Sequence, residues 1–125
     1  MISINDAEAR DFLSDWHSDS KKIFSKILKT LKCRTIFYKL GADGLLAKSQ
    51  NKKYKFPAIP INLVDPIGSG DAFLSSAIIC SQIKSDFNLN IFISSCCAAY
   101  SCTKLGTNPV IKEELLTFIK NLIND

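Results

Sequence analysis

The sequence predicts an α/β fold in which helices pack against a mostly parallel sheet that includes one hairpin. Short, strand-like apolar runs alternate with segments whose apolar residues recur at helical spacing. The strand, helix, strand order near the N-terminus also implies a right-handed parallel crossover. At 125 residues the chain is long enough for one domain with a hydrophobic core and too short for two, so we expect a single domain over residues 1–125.

The first half of the chain is predicted to hold the sheet. A short strand over residues 1–4 leads into a helix that opens at Asn5, a favourable N-cap, and Glu8 three residues later completes a capping box. The other elements predicted here are a helix over 20–31, a strand over 35–40, a turn over 41–44 and a hairpin with arms at 45–48 and 53–56. Pro57 and Pro60 restrict the segment after the hairpin to edge or connecting structure.

The second half is predicted to be mainly helical. A strand over 61–64 runs into a glycine turn and leaves it as a helix over about 70–84. Further helices are expected over about 88–103 and 112–122, where apolar and small residues recur at helical spacing.

The glycine turn is the part of the chain that most clearly predicts chemistry. Gly68 and Gly70 allow a tight turn and close approach of a ligand, and the following helix points its unpaired N–H groups at the turn. Asp65 and Asp71 bracket these glycines. The pattern therefore predicts an anion site with a carboxylate built into it, although a simple strand-to-helix turn capped by Asp71 is the alternative explanation.

Residues 65–73, DPIGSGDAF, resemble the second signature of the ribokinase-like (PfkB) family of carbohydrate kinases, D-T-x-G-A-G-D-x-F. The resemblance implies a ribokinase-like three-layer αβα sandwich and ATP-dependent phosphorylation of a sugar hydroxyl. It also implies that Asp71 is the catalytic base and that Gly68, Ser69 and Gly70 form an anion hole for the transferring phosphoryl group. The sequence departs from the family pattern at residues 66 and 69, where a hole built from backbone groups is little affected.

The same resemblance assigns further residues to ATP and metal ions. Asn5 and Glu8 match an N-x-x-E motif that influences Mg²⁺ and phosphate, and this role is an alternative to their capping box. Gly41 and Gly44 match T-x-G-x-x-G beside the nucleotide, with Lys39 in place of the usual Thr. The loop around Gly106 is expected to line the adenine pocket and to share a monovalent cation site with Asp65, with K⁺ as the candidate ion.

The resemblance covers essentially the whole chain but corresponds to the C-terminal, nucleotide-binding and catalytic portion of a family member. The sugar-binding and lid portion that precedes it in the family is not found, so we expect either a homo-oligomer or pairing with that portion. Residues 104–110, KLGTNPV, and the EEL at 113–115 are similar to the end of heptose-7-phosphate kinases. A fructokinase, a ribokinase, a nucleoside kinase and a non-catalytic nucleotide-binding fragment are the alternatives.

Composition argues against several other classes of protein. The net charge of +4 includes no long basic run with interleaved aromatic residues, which argues against nucleic-acid binding. No apolar run is long enough to cross a membrane and no signal-peptide pattern opens the chain, so we expect a cytoplasmic protein. Five cysteines without C-x-x-C spacing indicate free thiols rather than disulfides or a metal site.

Overall fold

A computed structural model describes all residues, 1–125, and shows one four-stranded sheet and five α-helices. The chain divides into two compact units, residues 1–58 and residues 59–125. The first unit contains β1 (Ile2–Asn5), α1 (Asp6–Leu13), α2 (Ser20–Thr30), β2 (Thr35–Lys39), a short 3₁₀ helix (Gly41–Asp43), β3 (Leu45–Ser49) and β4 (Lys52–Phe56). The second contains α3 (Ser69–Gln82), α4 (Phe87–Cys102) and α5 (Lys112–Asn124).

The sheet has the strand order β1-β2-β3-β4. β1 and β2 are parallel and are joined through α1 and α2, which confirms that the predicted crossover is parallel. β3 pairs antiparallel with both of its neighbours, and β3 with β4 forms the predicted hairpin. One of the three strand pairings is therefore parallel, and the expectation that most of the sheet is parallel is wrong for this chain.

The strand predicted over residues 61–64 is the main error in the secondary structure. These residues form an irregular connection in which Leu63 and Val64 are exposed. The backbone N–H groups of Val64 and Asp65 donate to the carbonyl of Cys102, at 2.9 and 3.1 Å. The apolar, β-branched composition indicated a strand, but these amides bond to the end of α4 instead of entering a sheet ladder.

The core of the first unit lies between α1, α2 and one face of the sheet. Its fully or almost fully buried residues are Ala9, Ile23, Phe24, Ile27, Ile36 and Tyr38. The α2 members form the apolar stripe predicted from the sequence, with lysines outside it. The Phe24 ring stacks on that of Tyr38, with centroids 5.9 Å apart and planes 7° from parallel.

A charged network joins the start of α1 to β2 in this core. The Tyr38 hydroxyl donates to one carboxylate oxygen of Asp6, and Arg10 Nε donates to the other at 2.8 Å. Burial opposes ionisation of Asp6, but the hydrogen bonds from Arg10 and Tyr38 outweigh it and lower its pKa. Burial and the neighbouring carboxylate raise the pKa of the Tyr38 phenol, so the hydroxyl remains a donor at neutral pH.

In the second unit α3 packs along α4, with Phe73, Ala77 and Ile91 buried. All five cysteines are free, and Cys80, Cys96 and Cys97 are buried. Burial raises the pKa of the Cys96 thiol to about 11, which disfavours its reactive thiolate. None of the five helices combines the length and hydropathy needed to cross a bilayer.

We predict that Tyr38→Phe destabilises the first unit by about 1–2 kcal/mol at pH 7, because Asp6 loses a hydrogen bond from the phenol. The folded-state pKa of Asp6 is lowered, so this stabilisation is present above the unfolded-chain pKa of about 3.9 and is lost as pH falls through the folded-state pKa. Urea unfolding of the wild type and the variant between pH 7 and pH 3 tests this. A difference that does not shrink on acidification would contradict it.

Candidate active site

The glycine turn places a row of backbone amides at the start of a helix. α3 begins at Ser69, and its N-cap, Gly68, has a left-handed φ of 83°. The N–H groups of Gly68 and Gly70 have no acceptor in the chain. The N–H and the hydroxyl of Ser69 both donate to the Pro66 carbonyl, at 3.2 and 2.8 Å. Two of the three amides predicted to form the anion hole are therefore available to a ligand.

Asp71 lies in the first turn of this 14-residue helix, and its side chain is exposed. No side chain caps α3, so the alternative explanation of Asp71 as the helix cap is wrong. The helix N-terminus carries a partial positive charge that stabilises anions, including an ionised carboxylate. The first turn of α3 therefore offers a proton acceptor, the Asp71 carboxylate, next to unpaired amides that can bind an anion.

Asp65 connects the glycine turn to the loop that comes after α4. One carboxylate oxygen accepts from the N–H of Ile67 at 2.9 Å, and the other accepts from the N–H of Gly106 at 2.8 Å. These two hydrogen bonds lower the pKa of Asp65, so it is ionised at neutral pH. The structure thus brings together Asp65 and Gly106, which the resemblance assigned to a shared site although they lie far apart in sequence.

Thr107 is a residue of this site that the sequence does not identify. A Cβ on Gly68 would lie 3.1 Å from Thr107 Oγ1 and 3.2 Å from Cγ2, so the Thr107 side chain fills the space beside the turn. Gly68 is thus constrained both by its left-handed backbone and by this neighbour. In the sequence Thr107 stands next to Gly106 within the KLGTNPV segment, and neither feature predicts contact with residue 68.

The candidate residues of the first unit lie at one end of the sheet. Asn5 lies opposite Lys39 in the register of β1 and β2. The Glu8 N–H donates to Asn5 Oδ1 and the Asn5 N–H donates to Glu8 Oε2, both at 2.8 Å, so the predicted capping box is present. Asn5 Nδ2 and Glu8 Oε1 take no part in it, so the box leaves polar atoms for a ligand.

The turn after β2 needs both of its glycines for different reasons. Gly41 and Gly44 have left-handed φ values of 58° and 85°, and the N–H of Leu40 donates to the Gly44 carbonyl at 2.8 Å. A Cβ on Gly44 would lie 2.1 Å from the Phe56 carbonyl oxygen, whereas one on Gly41 would meet nothing within 4 Å. Gly44 is therefore required by the close passage of the chain after β4.

These features describe an α/β protein in which one helix begins with backbone amides that have no acceptor in the chain. The family model described as pfkB family carbohydrate kinase matches residues 1–114, and the chain belongs to this family. A curated relative, the aminoimidazole riboside kinase of Salmonella typhimurium, is 39% identical over 51 residues, which are 41% of this chain and 16% of that protein.

Similarity to solved structures confirms the predicted ribokinase-like α/β fold. Ribokinase from Thermotoga maritima is 27% identical with a TM-score of 0.79, over 95% of this chain and 41% of that chain. Aminoimidazole riboside kinase from Salmonella enterica, in complex with aminoimidazole riboside and an ATP analog, is 28% identical with a TM-score of 0.77. The match covers 94% of this chain and 41% of that chain. The chain spans about two fifths of the length of these two proteins.

We predict that Gly68→Ala costs more stability than Gly106→Ala, which serves as its matched control. Both residues have left-handed backbones, so each substitution costs about 1–2 kcal/mol of strain. Only the Gly68 methyl group would meet Thr107, which adds about 1 kcal/mol or more. Urea unfolding of the two variants measures the difference.

Combining Gly68→Ala with Thr107→Ala should remove the additional cost, because the smaller side chain opens the space that the new methyl group needs. Equal costs for the two glycine variants, or no rescue by Thr107→Ala, would show that Thr107 does not constrain the turn.

Proposed function

We propose that this chain carries the catalytic base and the anion hole of an enzyme that transfers a phosphoryl group from ATP to a sugar hydroxyl. The start of α3 is the observation that carries the proposal, because unpaired amides and an exposed carboxylate occur there within four residues. Membership of the pfkB family of carbohydrate kinases supports it. Since the chain spans only part of its relatives, the reaction is proposed for the whole protein that contains it.

In the proposed reaction Asp71 accepts the proton of the sugar hydroxyl, and the oxygen attacks the γ-phosphorus of ATP. The bond from that phosphorus to the bridging oxygen breaks, and ADP leaves with its electron pair. The amides of Gly68 and Gly70 stabilise the charge on the transferring group without reorganising. Ser69 completes the hole in the family pattern, and to do so its N–H must exchange its 3.2 Å bond to Pro66 for the phosphoryl oxygen.

For the nucleotide and its metal ion we propose, within the first unit, the residues at the end of the sheet; within the second unit we propose the Gly106 loop for the adenine. Gly41 and Gly44 shape a turn whose backbone a phosphate can approach, and Lys39 offers a positive charge where the family pattern has Thr. Asn5 and Glu8 suit an indirect role toward Mg²⁺, because Glu8 is exposed and keeps one carboxylate oxygen outside the capping box. When bound, Mg²⁺ neutralises charge on the phosphates.

We also propose that Asp65 takes part in a monovalent cation site, with K⁺ as the candidate ion. Its carboxylate is ionised, and each oxygen accepts only one hydrogen bond, which leaves lone pairs for a cation. A carboxylate combined with loop carbonyls is a donor set that hard cations prefer. Such an ion would hold the turn and the Gly106 loop together beside the anion hole.

The acceptor that we favour is a furanose or riboside hydroxyl. Its support is one curated relative, an aminoimidazole riboside kinase, and a similar solved structure, the aminoimidazole riboside kinase from Salmonella enterica complexed with aminoimidazole riboside and an ATP analog. Heptose 7-phosphate is the second candidate, supported by residues 104–110 and the EEL at 113–115. Fructose is a third, since fructokinases have the same fold.

We place the reaction in the cytoplasm, in a homo-oligomer or in association with a sugar-binding and lid portion.

A non-catalytic nucleotide-binding module is the alternative function. It requires only the amides of Gly68 and Gly70, which can bind a phosphate without any transfer following. Such a module would bind Mg·ATP at the glycine turn but would transfer no phosphoryl group to any acceptor.

The test is a kinase assay on the protein that contains this chain, with Mg·ATP in potassium buffer and a panel of ribose, aminoimidazole riboside, fructose and heptose 7-phosphate. Asp71→Asn should lower kcat about 10²- to 10⁴-fold, because the base is lost. ATP affinity measured by calorimetry should change little, since the amides of the hole remain.

Asp86→Asn is the matched control. Asp86 also lies at a helix start, has no side-chain capping bond and is exposed, so its loss should leave kcat unchanged. Undiminished turnover in Asp71→Asn would remove that residue from its role. Tight Mg·ATP binding with no transfer to any member of the panel would favour the non-catalytic module.

A further inference from the structure

Positive charge is concentrated in the first of the two units. Residues 1–58 contain twelve Lys or Arg and six Asp or Glu, which gives a formal charge of +6. Residues 59–125 contain four Lys or Arg and six Asp or Glu, which gives a formal charge of −2. Such an asymmetry between two parts of a chain indicates attraction of an anionic partner to the basic part.

Part of this charge surrounds a groove between α2 and the hairpin of β3 and β4. The groove has a volume of about 340 Å³, and it is lined by Lys21, Phe24, Ser25, Leu46, Lys53, Tyr54 and Lys55. Three of these seven residues are exposed lysines, and no Asp or Glu is among them. None of them belongs to the candidate active site, so the groove has no function in the proposed reaction.

The strand register adds a fourth lysine and a local repulsion. Lys48 on β3 lies directly opposite Lys53 on β4, and Lys55 lies opposite Leu46 on the same face of the hairpin. Like charges directly opposite each other destabilise an antiparallel pair. The hairpin therefore retains an unfavourable arrangement that a bound anion would relieve.

We propose that this groove binds a small, multiply charged phosphate compound, such as a polyphosphate or an organic ester with two or more phosphate charges. Lysines from α2 and β4 would donate charge-assisted hydrogen bonds to phosphate oxygens. The apolar floor formed by Phe24 and Leu46 would accommodate an organic group. The volume is at the lower end of the range for small-molecule sites and favours a compact ligand over a long nucleic-acid strand.

Inorganic tripolyphosphate is the probe for the test, because it supplies the charge without a base or sugar. Titration followed by ¹H–¹⁵N NMR should give saturable shifts at the amides of Lys21, Leu46, Lys53 and Lys55. The double variant Lys53→Gln with Lys55→Gln should weaken this binding about tenfold or more. Lys29→Gln with Lys52→Gln removes the same charge from exposed positions outside the groove and should weaken it less than about twofold.

Three results would overturn the proposal. The first is the absence of saturable shifts, and the second is equal weakening in the two double variants, which would indicate only general electrostatic attraction. The third is stronger binding of a single-stranded DNA oligonucleotide or of phosphatidylserine vesicles at the same amides, which would make the groove a surface for a macromolecule or a membrane.

The groove and the proposed kinase site can fail independently. Asp71→Asn should leave the tripolyphosphate shifts at the groove unchanged, and the groove variants should retain ATP-dependent turnover. Shifts confined to residues 68–71 would place the probe in the anion hole alone and would contradict the groove proposal while leaving the kinase proposal intact.

Discussion

The carboxylate of Asp65 is the constraint on which the arrangement of the second unit's site depends. It accepts a hydrogen bond from the N–H of Ile67 within the turn and another from the N–H of Gly106 in the loop after α4. A single ionised side chain thereby holds two loops in place. The Cys102 carbonyl reinforces the link by accepting the amides of Val64 and Asp65. Hydrogen bonds to an ionised group are among the stronger ones in proteins, so both loops hold their shape without a regular strand between them.

This arrangement explains why α3 begins with amides that face no internal acceptor. Gly68 adopts a left-handed conformation, and the chain enters α3 without a side-chain cap. Helices without caps usually satisfy their first amides with water or a ligand. The exposed carboxylate of Asp71 in the first turn interacts favourably with the positive end of the helix dipole and makes no capping hydrogen bond. The first amides of α3 thus lack acceptors within the chain, and a bound anion would supply them.

Most of the secondary structure could be predicted from the sequence because strong local signals agreed with the tertiary structure. The capping box at Asn5 and the apolar stripe of α2 are examples, and the observed bounds of α2, Ser20–Thr30, differ from the prediction by one residue. The segment over 61–64 failed because composition does not report where backbone amides find acceptors. The contacts of Asp65 with Gly106 and of Gly68 with Thr107 join residues that are far apart in the sequence, so no periodic pattern in the sequence indicates them.

The glycines show how far a sequence motif can be interpreted in physical terms. Gly44 matches a nucleotide-binding pattern, yet the Phe56 carbonyl alone would exclude any side chain there, so a structural role accounts for it fully. Gly41 also has a positive φ but open space around it, and room for a ligand is the feature that distinguishes it. Of two glycines in one motif, it is therefore Gly41 whose surroundings fit contact with a phosphate. Gly44 preserves the shape of the turn that presents it.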